Sequence, residues 1–175
     1  FSRFDEAKSP WQDVARYAPM GLALVQLAIL LPRMGFSLTG WLFYAVLSVA
    51  TIILAWRDRR LVPLAEAALL IGIVPLSEAW GVDAYRQSTL VATFGIALLF
   101  GGAGIAAMLR ERQPAIAWAV MALAAPVLCW FAAFSAYPLD TSSMAWGYTA
   151  FAAALPAAWL AWQQHQRRET GIIQI

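Results

Sequence analysis

Five stretches of this chain, 17–32, 34–56, 87–109, 113–139 and 141–166, contain no Asp, Glu, Lys or Arg, and a sixth, 61–77, is broken only by Glu66. The apolar residues in them run on without the i, i+3, i+4 striping that a water-facing helix needs. A helix rises about 1.5 Å per residue, so roughly twenty residues cross a hydrocarbon core of about 30 Å. Five stretches meet that length. The first is short, and it crosses if its helix begins near Pro10. Composition agrees: 62% of the residues are hydrophobic and 13% charged, so the chain cannot cover itself with polar surface. These features predict an all-α integral membrane bundle or array of six transmembrane helices, with spans at about 10–31, 38–56, 61–80, 88–109, 114–137 and 144–162.

Charge placement gives the orientation. With six crossings, the amino-terminal stretch, Arg57-Asp58-Arg59-Arg60, Arg110-Glu111-Arg112 and the carboxyl tail share one side and hold ten of the twelve Lys and Arg; only Arg33 and Arg86 lie opposite. If the first stretch failed to cross, the split would fall to seven against five. The positive-inside rule therefore favours six spans with both ends cytoplasmic, in the bacterial inner membrane. The net charge of +2 is a topology signal, and no nucleic-acid partner is expected; the partner is the lipid bilayer. Trp11, Trp41, Trp56, Trp80, Trp146 and Trp162 lie near predicted span ends, where an indole sits at headgroup level, while Trp118, Trp130 and Trp159 lie further in, against lipid or a neighbouring helix.

The chain opens with Phe1, and the given residues show no basic n-region, short apolar h-region and small-residue cleavage site from which a signal peptide would be expected. We expect a single transmembrane segment over 1–175 cut from a longer protein, whose remainder, or other membrane subunits, would be its partners. The lone cysteine, Cys129, precludes an intrachain disulfide and a cysteine metal cluster.

Two stripes of small residues, Ala92, Gly95, Gly102 and Ala106 on the fourth span and Ala150, Ala154, Ala157 and Ala161 on the sixth, predict faces where helices approach closely. A backbone-lined path beside Gly101, Gly102 and Gly104 is the functional alternative. Pro19, Pro75, Pro126 and Pro156 fall inside spans, where a missing amide kinks a helix.

Catalytic signatures are sparse. His165 is the only histidine and lies beyond the sixth span, so two-histidine metal sites and Ser-His-Asp triads are unavailable within the segment. Neither a nucleophile elbow nor a phosphate loop is present. We therefore expect no enzyme, no cofactor and no metal. Five residues are candidates for ion or partner contact. Glu66 is the one acid inside a span, and an intramembrane carboxylate raises the question of proton traffic. Its place three residues after Pro63, read as the first helical residue, predicts a first-turn acid beside Arg57, Arg59 and Arg60. Glu78, Asp83, Arg86 and Asp140 gather on the opposite side with Trp80, Tyr85, Tyr137, Trp146 and Tyr148, as a glycan or partner surface or as ordinary loops with an aromatic belt.

The string Ala-Trp-Arg-Asp-Arg-Arg-Leu-Val-Pro-Leu-Ala at 55–65 and the stretch 17–32 resemble the large bacterial multi-span proteins of the domain-of-unknown-function 2339 family. The resemblance covers the first half of the chain. It implies a larger inner-membrane protein of many helices and brings no catalytic or binding residues with it.

A shift of 53 residues aligns 41–60 with 94–113 and then with 147–166, so that Trp56, Leu109 and Trp162 coincide and Arg57-Asp58-Arg59 matches Arg110-Glu111-Arg112. It also places Pro10 on Pro63 and Asp13 on Glu66. This register predicts three parallel hairpin repeats, each leaving the cytoplasmic side and returning to it, without the inverted symmetry of many secondary transporters. Two functions follow from these features: a structural or assembly module of a larger envelope protein, or a transporter or flippase segment for an apolar or lipid-linked substrate.

Overall fold

The computed structural model describes residues 10–110, 116–136 and 147–152, and beyond these Ala154, Leu155, Ala158, Trp159, Trp162 and Gln166; side chains are described from Tyr17 onward. The described residues are helical apart from short connections. Five long helices are α1 (Pro10–Arg33), α2 (Leu38–Arg57), α3 (Val62–Trp80), α4 (Arg86–Arg110) and α5 (Ile116–Ala136), and residues 147–152 begin a sixth helical stretch. Single 3₁₀ turns, Arg59–Leu61 and Asp83–Tyr85, precede α3 and α4.

Local chemistry ends each helix where the apolar runs stop. After α1 the Phe36 N–H bonds the Leu31 carbonyl at 3.0 Å and the Gly35 N–H bonds the Pro32 carbonyl at 3.0 Å. These are the two hydrogen bonds of a Schellman cap, which needs a left-handed residue at Gly35, here at φ 62°. Phe36 follows at φ 46° and is held there by burial against Tyr85, ring centroids 5.6 Å apart. Ser37 caps α2, its hydroxyl accepting the Gly40 N–H at 3.3 Å. Asp58 closes the other end of α2. Its N–H bonds the Leu54 carbonyl at 2.9 Å, one carboxylate oxygen accepts the Arg60 N–H at 3.0 Å, and the other accepts the Tyr17 hydroxyl of α1 at 3.4 Å.

The helices pack as two staggered rows. In one row α3 lies between α1 and α5; in the other α2 lies beside α4; and each helix of one row touches its sequence neighbours in the other. The core between the rows includes Leu24, Tyr44, Ile52, Ala65, Leu76, Phe100, Trp118 and Ala122. Large apolar side chains cover the outside as well, including Leu98 at 74% exposure and Ile116 at 82%. A surface of that kind suits lipid and not water. Four helical stretches, Leu38–Arg57, Arg59–Trp80, Asp83–Arg110 and Ile116–Ser135, are long and apolar enough to cross a membrane. α1 runs 24 residues from Pro10, with Tyr17–Arg33 as its apolar part.

Two expectations change. On α4 only Ala92 of the predicted packing stripe is buried, whereas Gly95, Gly102 and Ala106 are exposed. The buried glycines are Gly101 and Gly104, which face α5. A Cβ on Gly104 would lie 2.6 Å from the Trp118 carbonyl oxygen and 2.7 Å from the Ala122 nitrogen. So close an approach leaves no space for a path beside Gly104. On α3 the first helical residue is Val62, not Pro63, because the preceding 3₁₀ turn, capped by Asp58, starts the coil one residue earlier. Glu66 therefore lies past the first turn. Of the other stripe, Ala150 is half-buried and Ala154 exposed, while Ala157 and Ala161 lie outside the described residues.

Candidate functional site

Glu66 sits half-buried on α3, and no ion pair among the described residues joins it to Arg57, Arg59 or Arg60. Beyond the first turn it gains little from the helix dipole, whose influence fades over that distance. The nearest polar side chain further along the same face is Ser77, whose hydroxyl donates to the Val74 carbonyl at 2.7 Å.

At the other end of α3, Glu78 and Asp83 are exposed, as is Arg86 at the start of α4, and no ion pair among the described residues joins either acid to Arg86. Asp140, Tyr137 and Trp146 lie outside the described residues. The contacts that the aromatic residues make here join rings and neutral groups. Tyr85 packs on Phe36 and Gly35 of the α1–α2 turn, locking that turn against the α3–α4 connection. The Trp80 indole N–H donates to the Thr93 hydroxyl at 3.1 Å, and in the next hairpin the Trp130 N–H donates to the Thr149 hydroxyl at 3.1 Å.

Inside the helices the polar groups are mostly consumed locally. Thr51, Thr89 and Thr93 donate to the carbonyls of Leu47, Tyr85 and Thr89, four residues back. The Tyr44 hydroxyl crosses from α2 to donate to the Ala68 carbonyl of α3, and Gly72 makes room for its ring: a Cβ there would lie 2.8 Å from it. In lipid such a bond satisfies a phenol that has no water available. Sequence reasoning missed Tyr44, Asp58 and Thr93 as cross-links. Thr93 had one usable signal, since a 13-residue separation from Trp80 across a short connection sets the two at one level of an antiparallel hairpin.

One cavity, of about 100 Å³, lies between α2 and α4. Leu38, Leu42, Ala45, Val91, Gly95 and Ile96 contribute apolar lining, and Trp41 and Ser48 border it as well. Trp41, expected near a span end, lies in the first turn of α2 and is 5% exposed, its ring turned into the bundle. The described residues hold no group of three or more His, Cys, Asp or Glu placed to bind a metal, and Cys129 is a buried free thiol on α5. Compared with protein families, curated proteins and solved structures, the chain matches none.

Proposed function

We propose that this chain is a structural or assembly module of a larger bacterial envelope membrane protein, built of six spans as three parallel hairpins, with both ends cytoplasmic. The observation that carries the reading is a recurrence of buried positions. Ala65, Ala68, Leu69, Gly72, Leu76 and Ala79 are buried on α3; a shift of 53 residues converts them to Trp118, Met121, Ala122, Ala125, Cys129 and Ala132, all buried on α5. Neighbour relations recur with the same step. α1 lies on α3 as α3 lies on α5, and α2 meets α3 as α4 meets α5. The two indole–threonine bonds fit the same register. Trp130 falls three residues before the counterpart of Trp80, and Thr149 three residues after the counterpart of Thr93. In an antiparallel hairpin that moves the pair about one turn deeper without changing which residues face each other.

Units that each contact mainly their neighbours form an array that can be extended by duplication. A larger inner-membrane protein is also what the resemblance at 17–32 and 55–65 implies. The alternative, passage of an apolar or lipid-linked substrate past the midplane, draws less support: the cavity between α2 and α4 is lined almost wholly by apolar side chains, and the Tyr44 hydroxyl beside it donates to the Ala68 carbonyl of α3.

The reading is tested on the full-length protein by blue-native electrophoresis and by a lipid-flipping assay in proteoliposomes containing a headgroup-labelled phospholipid. A module predicts that Gly104→Leu dissolves the assembled species while Glu66→Gln, Glu78→Gln, Asp83→Asn and Arg86→Gln leave it intact, with no flipping by any of them. Flipping by the wild type that Glu66→Gln abolishes would replace the module with a transporter.

A further inference from the structure

We propose that the open face of α1 is an interface with a second copy of this chain, in which the Gln26 carboxamides of the two copies bond to each other. The interface lies beyond the module reading and rests only on that reading's placement of α1 across the bilayer. α1 stands at the end of its row and packs on α2 and α3. Its inner side is fixed by Leu24 and Leu31, both fully buried, with Tyr17, Leu27 and Ala28 packed on the same core. The outer side carries Leu22, Gln26, Ile29 and Arg33, at the i, i+4, i+7, i+11 spacing of one helical face, and all four are exposed.

Gln26 is out of place in lipid. Tyr17, bonded to Asp58, marks one end of the apolar part of α1, and Arg33 marks the other. Gln26 lies nine residues from the first and seven from the second, about 14 Å and about 10 Å by the helical rise, so its amide sits in hydrocarbon and is too short to reach either surface. Among the described residues none exchanges a hydrogen bond with it. An amide left unbonded there is costly, and polar side chains inside a membrane characteristically face protein, where they hydrogen-bond across helices.

The chemistry selects a second copy. A carboxamide carries two donor hydrogens and an acceptor oxygen, so it is its own complement. Two copies inserted with one orientation, related by a two-fold axis along the membrane normal, hold their α1 helices parallel and bring each residue to the depth of its counterpart. Gln26 then meets Gln26, Leu22 and Ile29 pack on either side of the pair, and Arg33 lies at headgroup level, where its long side chain reaches water. Packing of hairpin on hairpin uses no amide at this position: the 53-residue step replaces Gln26 by Ala79 and Ala132, both buried.

The test uses the full-length protein with Cys129→Ala in phosphatidylcholine proteoliposomes. Leu22→Cys and Ile29→Cys should each give cross-linked dimers on oxidation with copper phenanthroline, whereas Leu98→Cys, on the exposed face of α4, should not. Resonance energy transfer between copies carrying donor and acceptor fluorophores, titrated over the protein-to-lipid ratio, reads the dimer dissociation constant. Gln26→Leu should raise it about five- to thirty-fold, the range that one or two interhelical hydrogen bonds supply, and Gln26→Asn, which keeps the amide, should raise it less. Gln26→Leu should still fold, since Gln26 holds nothing within the chain. A wild type that stays monomeric at every ratio, or cross-linking as strong through Leu98→Cys as through Leu22→Cys, would overturn the interface. So would a dissociation constant unchanged by Gln26→Leu, and if Gly104→Leu still dissolved the assembled species the module reading would stand without it. Cross-linking of Leu22→Cys in native membranes to a different protein and not to itself would overturn the second copy as the occupant.

Discussion

Adding a single methyl group to Gly104 tests the close approach of α4 to α5. Its Cβ would stand 2.6 Å from the Trp118 carbonyl oxygen, 2.7 Å from the Ala122 nitrogen and 2.9 Å from the Ala122 Cβ. The first two are backbone atoms, so no rotamer change relieves the clash and α4 must move off α5. A gap of about 0.5–1 Å forfeits a quarter to a half of each dispersion contact along that interface, and overpacking of this kind costs about 1–3 kcal/mol. Alanine's better helix propensity returns about 1 kcal/mol, leaving Gly104→Ala destabilised by up to about 2 kcal/mol. Gly102, two residues away, has nothing within 4 Å, so Gly102→Ala should gain up to about 1 kcal/mol from propensity alone. Reversible unfolding from mixed micelles measures both variants. Equal effects, or a greater loss at Gly102, would mean that the stripe Ala92, Gly95, Gly102 and Ala106 is the packing face after all and that the α4–α5 interface is wrongly placed.

Tyr44→Phe should cost about 0.5–1.5 kcal/mol in the same assay, the range for one interhelical hydrogen bond in a membrane. Gly72→Ala should destabilise more than that, and combining it with Tyr44→Leu should recover part of the loss, with a coupling of about 0.5–3 kcal/mol; strict additivity would separate the two residues. Thr93→Val removes the acceptor of the Trp80 indole and should cost about 0.5–1.5 kcal/mol, whereas Ser88→Ala, on the same helix, should change stability by less than Thr93→Val does. Glu66→Gln should fall within about 0.5 kcal/mol of wild type, as expected for a half-buried side chain with no ion pair among the described residues; a loss above about 2 kcal/mol would point to a partner for that carboxylate.

The helices were legible because their termini carry chemistry and their interiors do not. The spans expected at 38–56, 88–109 and 114–137 match α2, α4 and α5 to within about two residues, and Pro10 marks the start of α1, as a residue suited to a helix amino terminus. Facing was not legible. A helix apolar on every side gives no stripe from which to read its buried face, so small residues alone put the packing face on Ala92, Gly95, Gly102 and Ala106, whereas the approach of Trp118 and Ala122 selects Gly101 and Gly104. The start of α3 was misread by one residue for a different reason. Pro63 is a strong signal for a first helical position, but the Asp58-capped turn had already begun the coil, which moved Glu66 out of the first turn. The tyrosine and threonine cross-links were invisible to periodicity because each depends on what a second helix places opposite.

Six crossings with the arginine-rich connections inside the cell are the foundation of this account, and cysteine accessibility tests them most directly. In a Cys129→Ala background, single cysteines at Ser142 and Gln164 bracket the sixth crossing, and ones at Ser88 and Gln113 bracket the fourth. With a membrane-impermeant thiol reagent added to intact cells, Ser142→Cys and Ser88→Cys should be labelled, while Gln164→Cys and Gln113→Cys should react only after the membrane is opened. Labelling of Gln164→Cys or Gln113→Cys from outside would contradict the topology, and with it the three parallel hairpins.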